Sequence, residues 1–145
     1  MRKIILSVSI LLSFTSLLKA QESSATKVFE YRPAPGQFIN LLPAYANGDN
    51  EQTICNKCLE AFKTTQLVSL GGFGGYIVVG FDHSIINVPG EYDFKIDANA
   101  MDGPYGISSE PGIVLVSVDS NRNGLPDDEW YELKGSEYNL SLIHI

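Results

Sequence analysis

Residues 66–81 read QLVSLGGFGGYIVVGF, and this stretch decides the class of the fold. Short runs rich in Leu, Val and Ile stand on both sides of Gly71–Gly75, and neither run has helical spacing. The stretch therefore predicts two strands, Gln66–Leu70 and Tyr76–Phe81, that meet at a tight turn. Because the glycines lack the GxGxxG and Lys-Ser/Thr patterns of nucleotide loops, they do not indicate a phosphate site.

The strand pattern continues in both directions from this turn. Tyr92–Ala98 alternates strictly between apolar and polar residues, which predicts a strand with one solvated face. Ile113–Val118 is almost wholly apolar on both faces, which predicts a covered central strand. Val28–Tyr31 and Glu129–Leu133 are shorter strand candidates, and Val88–Glu91 has the Pro-Gly of a type II turn.

One helix is predicted among these strands. The Asp-Asn pair at 49–50 favours an N-cap, and Glu51–Lys63 places Ile54, Cys58 and Phe62 on one stripe. Several short strands with one short helix predict an all-β fold, an antiparallel β-sandwich of the jelly-roll-like kind.

Residues 1–20 have the features of a signal peptide. Arg2 and Lys3 precede the apolar run Ile4–Leu18, and Ala20 offers a small residue before the cut. The run is shorter than the roughly 20 residues that a spanning helix needs, which favours cleavage over a membrane anchor. We therefore expect export to the cell surface, the extracellular space or the periplasm, with no transmembrane segment after cleavage.

Residues 21–139 are expected to form the sandwich domain. The signal holds three of the 10 Lys and Arg and none of the 17 Asp and Glu, so the mature part has a net charge of −10. Such a charge repels nucleic acid and anionic lipid, and we expect no nucleic-acid partner. The closing residues 140–145, LSLIHI, resemble translated sequencing-adapter sequence, so we expect them to be foreign and the native domain to continue.

The two cysteines, Cys55 and Cys58, form a CxxC pair. The βαβ context of thioredoxin-type chemistry is missing, and Leu59 stands where haem attachment needs His. Two cysteines alone do not complete a zinc site. A local disulfide and two free thiols both remain open.

The densest polar cluster is residues 119–129, DSNRNGLPDDE. Its oxygen side chains recur with the spacing of an EF-hand loop, and Gly124 stands where that loop turns sharply. We predict a Ca²⁺ site formed by Asp119, Asn121, Asn123, the Leu125 carbonyl, Asp127 and Asp128. Two neutral Asn ligands, and Trp130 in place of the usual bidentate Glu, predict weak affinity. The alternative is a solvated turn that the Asn-Gly pair permits.

Aromatic residues near this loop are the candidate ligand-binding residues. Trp130, Tyr131 and Tyr105 offer ring faces that stack on sugars and other flat ligands. Neighbours in a strand point to opposite faces, so at most one of Trp130 and Tyr131 belongs to a core. The sequence contains no GxSxG or HExxH, and His83 beside Asp82 is interpreted as a surface residue, so we expect no enzyme activity.

Four blocks of the chain resemble a known family. They are Ser69–Asp82, Val88–Phe94, Ser109–Asp119 and Asp128–Leu133, and they look like exported cell-surface proteins of gut Bacteroidetes that are often described as PKD-domain proteins. The blocks also resemble jelly-roll domains of the galactose-binding-like type, and residues 123–128 match the family's Asn-Gly-Leu-Pro-Asp-Asp segment. The resemblance implies a β-sandwich at the outer surface with a capture or adhesive role.

Three functions follow from these features. We expect a non-catalytic cell-surface module that captures a glycan or another nutrient ligand. The alternative is a structural or adhesive domain that binds other cell-surface proteins, and a hydrolase fragment is a distant third, since a sandwich can host any of them.

Overall fold

The structure is a computed structural model that describes residues 24–37, 39–64, 66–72, 74–109 and 112–135. Its elements, in chain order, are β1 (Lys27–Arg32), α1 (Glu51–Lys63), β2 (Tyr76–Gly80), β3 (Ala100–Gly103), β4 (Gly106–Ser109), β5 (Leu115–Ser117) and β6 (Trp130–Glu132). Consecutive strands pair as two-stranded antiparallel sheets, β1–β2, β3–β4 and β5–β6. Within the residues that the structure describes, the expectation of a β-rich chain with one short helix is confirmed. Both the expected signal, residues 1–20, and the expected foreign tail, residues 140–145, lie outside the described residues.

A bulge in β1 sets which of its side chains enter the core. The register against β2 shifts between Val28 and Glu30, so Phe29 is an extra residue in the ladder. In a regular strand, residues three apart face opposite sides, but the bulge lets Val28 and Tyr31 share one face. Both are buried, and they form the core together with residues of α1.

The helix α1 closes this core and has the predicted bounds, Glu51–Lys63. Its first turn is fixed by a capping box, in which the Thr53 amide donates to Asn50 Oδ1 at 2.9 Å and the Asn50 amide donates to Thr53 Oγ1 at 2.7 Å. The buried residues of the helix are Cys55 and Cys58, which pack against β1. The predicted amphipathic stripe is therefore the face that meets the sheet.

Residues 66–70 do not form the predicted strand. They are joined to an earlier part of the chain by isolated bonds, from the Ala34 amide to the Leu70 carbonyl at 2.9 Å and from the Ser69 amide to the Leu41 carbonyl at 3.1 Å. Pro35, which lies between these two contacts, has no amide to donate. The two segments therefore remain adjacent without a continuous ladder.

Two further strand predictions differ from the structure. Tyr92–Ala98 lies outside the sheets, with Tyr92 and Ile96 exposed, because a strand also needs a partner and none of the described strands pairs with it. The strand expected at Ile113–Val118 is reduced to β5, whose described neighbour is β6 alone, and Leu115 is 49% exposed. The apolar sequence is therefore not covered within the described residues.

Candidate functional site

The predicted calcium loop is the connection of the β5–β6 hairpin. Ser117 pairs with Trp130 at its base, and the Leu133 amide donates to the Val114 carbonyl at 2.9 Å further along the hairpin. Residues 118–129 are therefore held at both ends by paired strands. Strands therefore flank this loop, whereas helices flank the loop of an EF-hand.

Asp119 organises the first half of the loop. Its Oδ1 accepts from the Asn123 amide at 3.0 Å, and its Oδ2 accepts from the Gly124 amide at 2.9 Å. The backbone curls around the carboxylate because Arg122 and Gly124 have φ values of 59° and 74°. Successive amides in such a curl form a concavity that binds an anion, and here the anion is a side chain of the loop itself.

Asp127 organises the second half and meets the two asparagines. Asn123 Nδ2 donates to both Asp127 oxygens at 3.1 and 2.9 Å, and Asn121 Nδ2 lies 3.4 Å from Oδ1. The side-chain Oδ1 of Asn121 accepts from the Asn123 backbone amide at 2.9 Å, and Asp119 Oδ1 accepts from the same amide. Four of the six predicted ligands, Asp119, Asn121, Asn123 and Asp127, therefore share one hydrogen-bond network.

The other two predicted ligands lie at its margins. Asp128 Oδ2 accepts from the Ser120 amide at 3.2 Å, which places this carboxylate across the neck of the loop. The Leu125 amide donates to Asn123 Oδ1 at 2.8 Å, and the Leu125 side chain is exposed. Neither contact places Asp128 or the Leu125 carbonyl in the shared network.

The donor atoms suit a hard cation, because Ca²⁺ takes carboxylate, amide and backbone oxygens. The asparagines now turn NH₂ groups toward Asp127, and half a turn of either amide would present its oxygen instead. Few charged ligands for a cation converge, however, since no group of three or more His, Cys, Asp or Glu suited to a metal occurs in the described part of the chain. The network itself contains two carboxylates, those of Asp119 and Asp127.

The three predicted ligand-binding aromatics are not gathered. Trp130 and Tyr131 are 39% and 55% exposed, and as neighbours in β6 they face opposite sides. The Tyr131 hydroxyl donates to Glu129 Oε2 at 2.7 Å, and this bond, followed by burial, raises the pKa of Tyr131. Tyr105 lies fully exposed in the turn between β3 and β4, and those strands do not contact β5 or β6. Trp130 and Tyr131 therefore adjoin the loop, and Tyr105 belongs to another hairpin.

A groove of about 390 Å³ beside the start of α1 was not foreseen from the sequence. Its walls come from β1, from the loop around Tyr45 and from the first turn of the helix. Arg32 crosses it to Glu30 at 2.8 Å and to Glu51 at 2.7 Å, and its guanidinium lowers the pKa of Glu51. Because these residues are distant in sequence, no local motif marks the groove, and its Arg32 charge is already paired.

Comparisons with known proteins add no relative. No family model matches the chain, and no curated protein is significantly similar to it. None of the helices in the described residues is long and apolar enough to cross a membrane.

Proposed function

We propose that this chain is an exported, non-catalytic binding module of the cell surface that captures a glycan or another nutrient ligand. The supporting observation is the convergence of Asp119, Asn121, Asn123 and Asp127 in the β5–β6 loop. In this proposal Ca²⁺ orders the loop, and the loop in turn orders Trp130, which pairs with Ser117 at its base. The half-exposed indole then serves as a stacking surface.

Export and a jelly-roll-like sandwich belong to the same proposal. Export is supported by the signal features of residues 1–20, and N-terminal sequencing of secreted protein should begin at Gln21. The sandwich is supported by the antiparallel pairing of β1–β2, β3–β4 and β5–β6 and by the resemblance to cell-surface proteins. The resemblance also suggests a location at the outer surface.

Calcium binding is tested by thermal unfolding and titration calorimetry in millimolar Ca²⁺. We expect Ca²⁺ to raise the unfolding midpoint, since a ligand at tenfold its Kd adds about 1.4 kcal/mol of stability. Asp127→Asn should abolish this rise, whereas Asp102→Asn, an exposed substitution in β3, should leave it intact. An unchanged midpoint for the unsubstituted chain would identify the loop as a solvated turn.

Ligand capture is tested by a glycan-binding screen with the full chain, with and without Ca²⁺. Trp130→Ala should lower affinity by at least about tenfold, because a stacked ring contributes on the order of 1.4 kcal/mol or more. Tyr105→Ala is the matched control, since Tyr105 lies in a different hairpin. Binding that survives Trp130→Ala, or the absence of any glycan ligand, would count against this mode of capture.

An adhesive role is the second candidate, and exposed aliphatic residues favour it. Leu115, Val118 and Leu125 are 49%, 72% and 53% exposed along the same hairpin and its loop. Exposed apolar surface of this kind is typical of contacts between proteins. Val118→Asp should then weaken binding to cell-surface proteins without changing glycan binding, whereas Trp130→Ala affects glycan binding in the first proposal.

A further inference from the structure

The core between α1 and β1 depends on two thiols. Among the described residues, the buried hydrophobic side chains are Val28, Tyr31, Cys55 and Cys58. Both buried positions of α1 are thus cysteines, and Ile54, Leu59 and Phe62 pack around them only partly buried. A chemical change at these sulfur atoms therefore directly alters the packing of α1 against β1.

The spacing of the two cysteines places their thiols near each other without the geometry of a disulfide. Cys55 and Cys58 lie one turn apart in a continuous helix, where Cβ atoms are about 5–6 Å apart. A disulfide needs Cβ atoms about 3.5–4.5 Å apart. Both residues are free thiols in the structure, and closing the bond therefore requires this turn of α1 to distort.

We propose that Cys55 and Cys58 make the packing of α1 on β1 redox-sensitive. The reduced dithiol stabilises the packed helix, and the Cys55–Cys58 disulfide weakens its contact with β1. Distortion of the turn would move Cys55 and displace Cys58, which both pack in the buried cluster with Val28 and Tyr31. Tyr31 is held from its other end, since its hydroxyl donates to the Ser69 carbonyl at 2.5 Å. Because of this bond, β1 does not move together with α1 when the helical turn distorts.

Burial controls when the reaction can occur. Cys58 has no exposed surface and Cys55 is 4% exposed, so an oxidant reaches them only when α1 separates from β1 or before the chain folds. Burial also raises the pKa of Cys58 to about 11, which keeps its reactive thiolate scarce near neutral pH. The folded dithiol is protected by the same contact that its oxidation would weaken.

The oxidant is a small-molecule disulfide, such as oxidised glutathione, or the disulfide of a thiol oxidase. One cysteine thiolate attacks a sulfur atom of that disulfide, which forms a mixed disulfide and releases one thiol. The second cysteine then attacks the mixed disulfide, which forms the Cys55–Cys58 bond and releases the second thiol. Two protons and two electrons have passed from the cysteines to the oxidant.

The test compares reduced and oxidised full-length chain. The chain is oxidised with glutathione disulfide in moderate urea, and the oxidant and the urea are then removed. The product should have the mass of the reduced chain minus two hydrogen atoms, and its melting midpoint should be lower than that of the reduced chain by about 5 °C or more. Proteolysis within Glu51–Lys63 should be faster in that species, and dithiothreitol should reverse both changes. Cys55→Ala/Cys58→Ala is the control and should show no response to the oxidant.

Alkylation of the unsubstituted protein provides a measurement that does not depend on this variant folding. Both thiols should react at least about a hundredfold more slowly in the native state than in urea, because reaction requires opening of the core. An equal or higher melting midpoint after oxidation, equal alkylation rates in both states, or failure to form the bond in urea would each overturn the proposal.

Discussion

At the scale of single residues, Gly71 explains how two segments without a ladder stay together. Its φ of +85° lies in the left-handed region, and a Cβ atom there would overlap the carbonyl oxygen of Ala34. Leu70 immediately precedes Gly71 in the chain, and its carbonyl accepts a hydrogen bond from the Ala34 amide. The glycine run therefore serves close backbone approach as well as the turn that the sequence predicts.

Gly71→Ala should destabilise the protein more than a glycine substitution that carries backbone strain alone. Gly48 is the matched control, because its φ is +94° and no atom lies near the position of an added Cβ. We expect a loss of about 1–2 kcal/mol for Gly48→Ala and a clearly larger loss for Gly71→Ala, measured by urea unfolding. Equal losses would mean that the contact with Ala34 does not constrain the chain.

At the scale of elements, the start of α1 is tied to its surroundings by two ion pairs. Lys57 Nζ lies 2.5 Å from Asp49 Oδ2, and Arg32 of β1 bonds Glu51 in the first helical turn at 2.7 Å. Hydrogen bonds from these partners are the largest cause of the lowered pKa values of Asp49 and Glu51. Each carboxylate therefore favours the folded state while it is ionised.

Acid should weaken α1 docking through these two groups. A carboxyl whose pKa is lower in the folded state stabilises it above the unfolded pKa, and this contribution is lost as pH falls through the folded pKa. The urea midpoint should therefore fall as pH drops from about 5 toward 3. Lys57→Gln should flatten this dependence more than Lys63→Gln, which removes an exposed pair with Glu60 on the same helix. Identical pH profiles for the two variants would contradict the role of Asp49.

The elements also show which information is local in the sequence. The cap at Asn50 and the stripe of α1 lie within the helix itself, so its bounds could be predicted. The bulge at Phe29 depends on the register against β2, and the fate of Tyr92–Ala98 depends on a partner strand, so neither could be read from one segment. The loop network of Asp119 and Asp127 was predictable because its residues are close in sequence. The separation of Tyr105 from Trp130 was not, since it depends on pairing between distant segments.

At the scale of the whole molecule, burial is uneven among the described sheets. The buried core belongs to β1 and α1, with β2 paired to β1, whereas β3–β4 and β5–β6 have contacts only within their own pairs among the described elements. An isolated two-stranded hairpin is marginally stable in water. The proposed calcium loop lies in one of these hairpins, so cation binding and local stability should be coupled there.

Hydrogen exchange should resolve this unevenness in the full chain. Amides of α1 and of the β1–β2 ladder should exchange slowest, because their release requires the core to open, and amides of β3–β4 should exchange fastest. Millimolar Ca²⁺ should slow exchange within residues 114–133 and leave exchange in β3–β4 unchanged, since the Asp119–Asp128 loop belongs to the β5–β6 hairpin. Asp127→Asn should remove that difference while preserving protection in α1. Uniform protection across all three sheets would show that the hairpins are stabilised by contacts beyond their own pairing, and slowing in both hairpins would show that Ca²⁺ does not act through the loop.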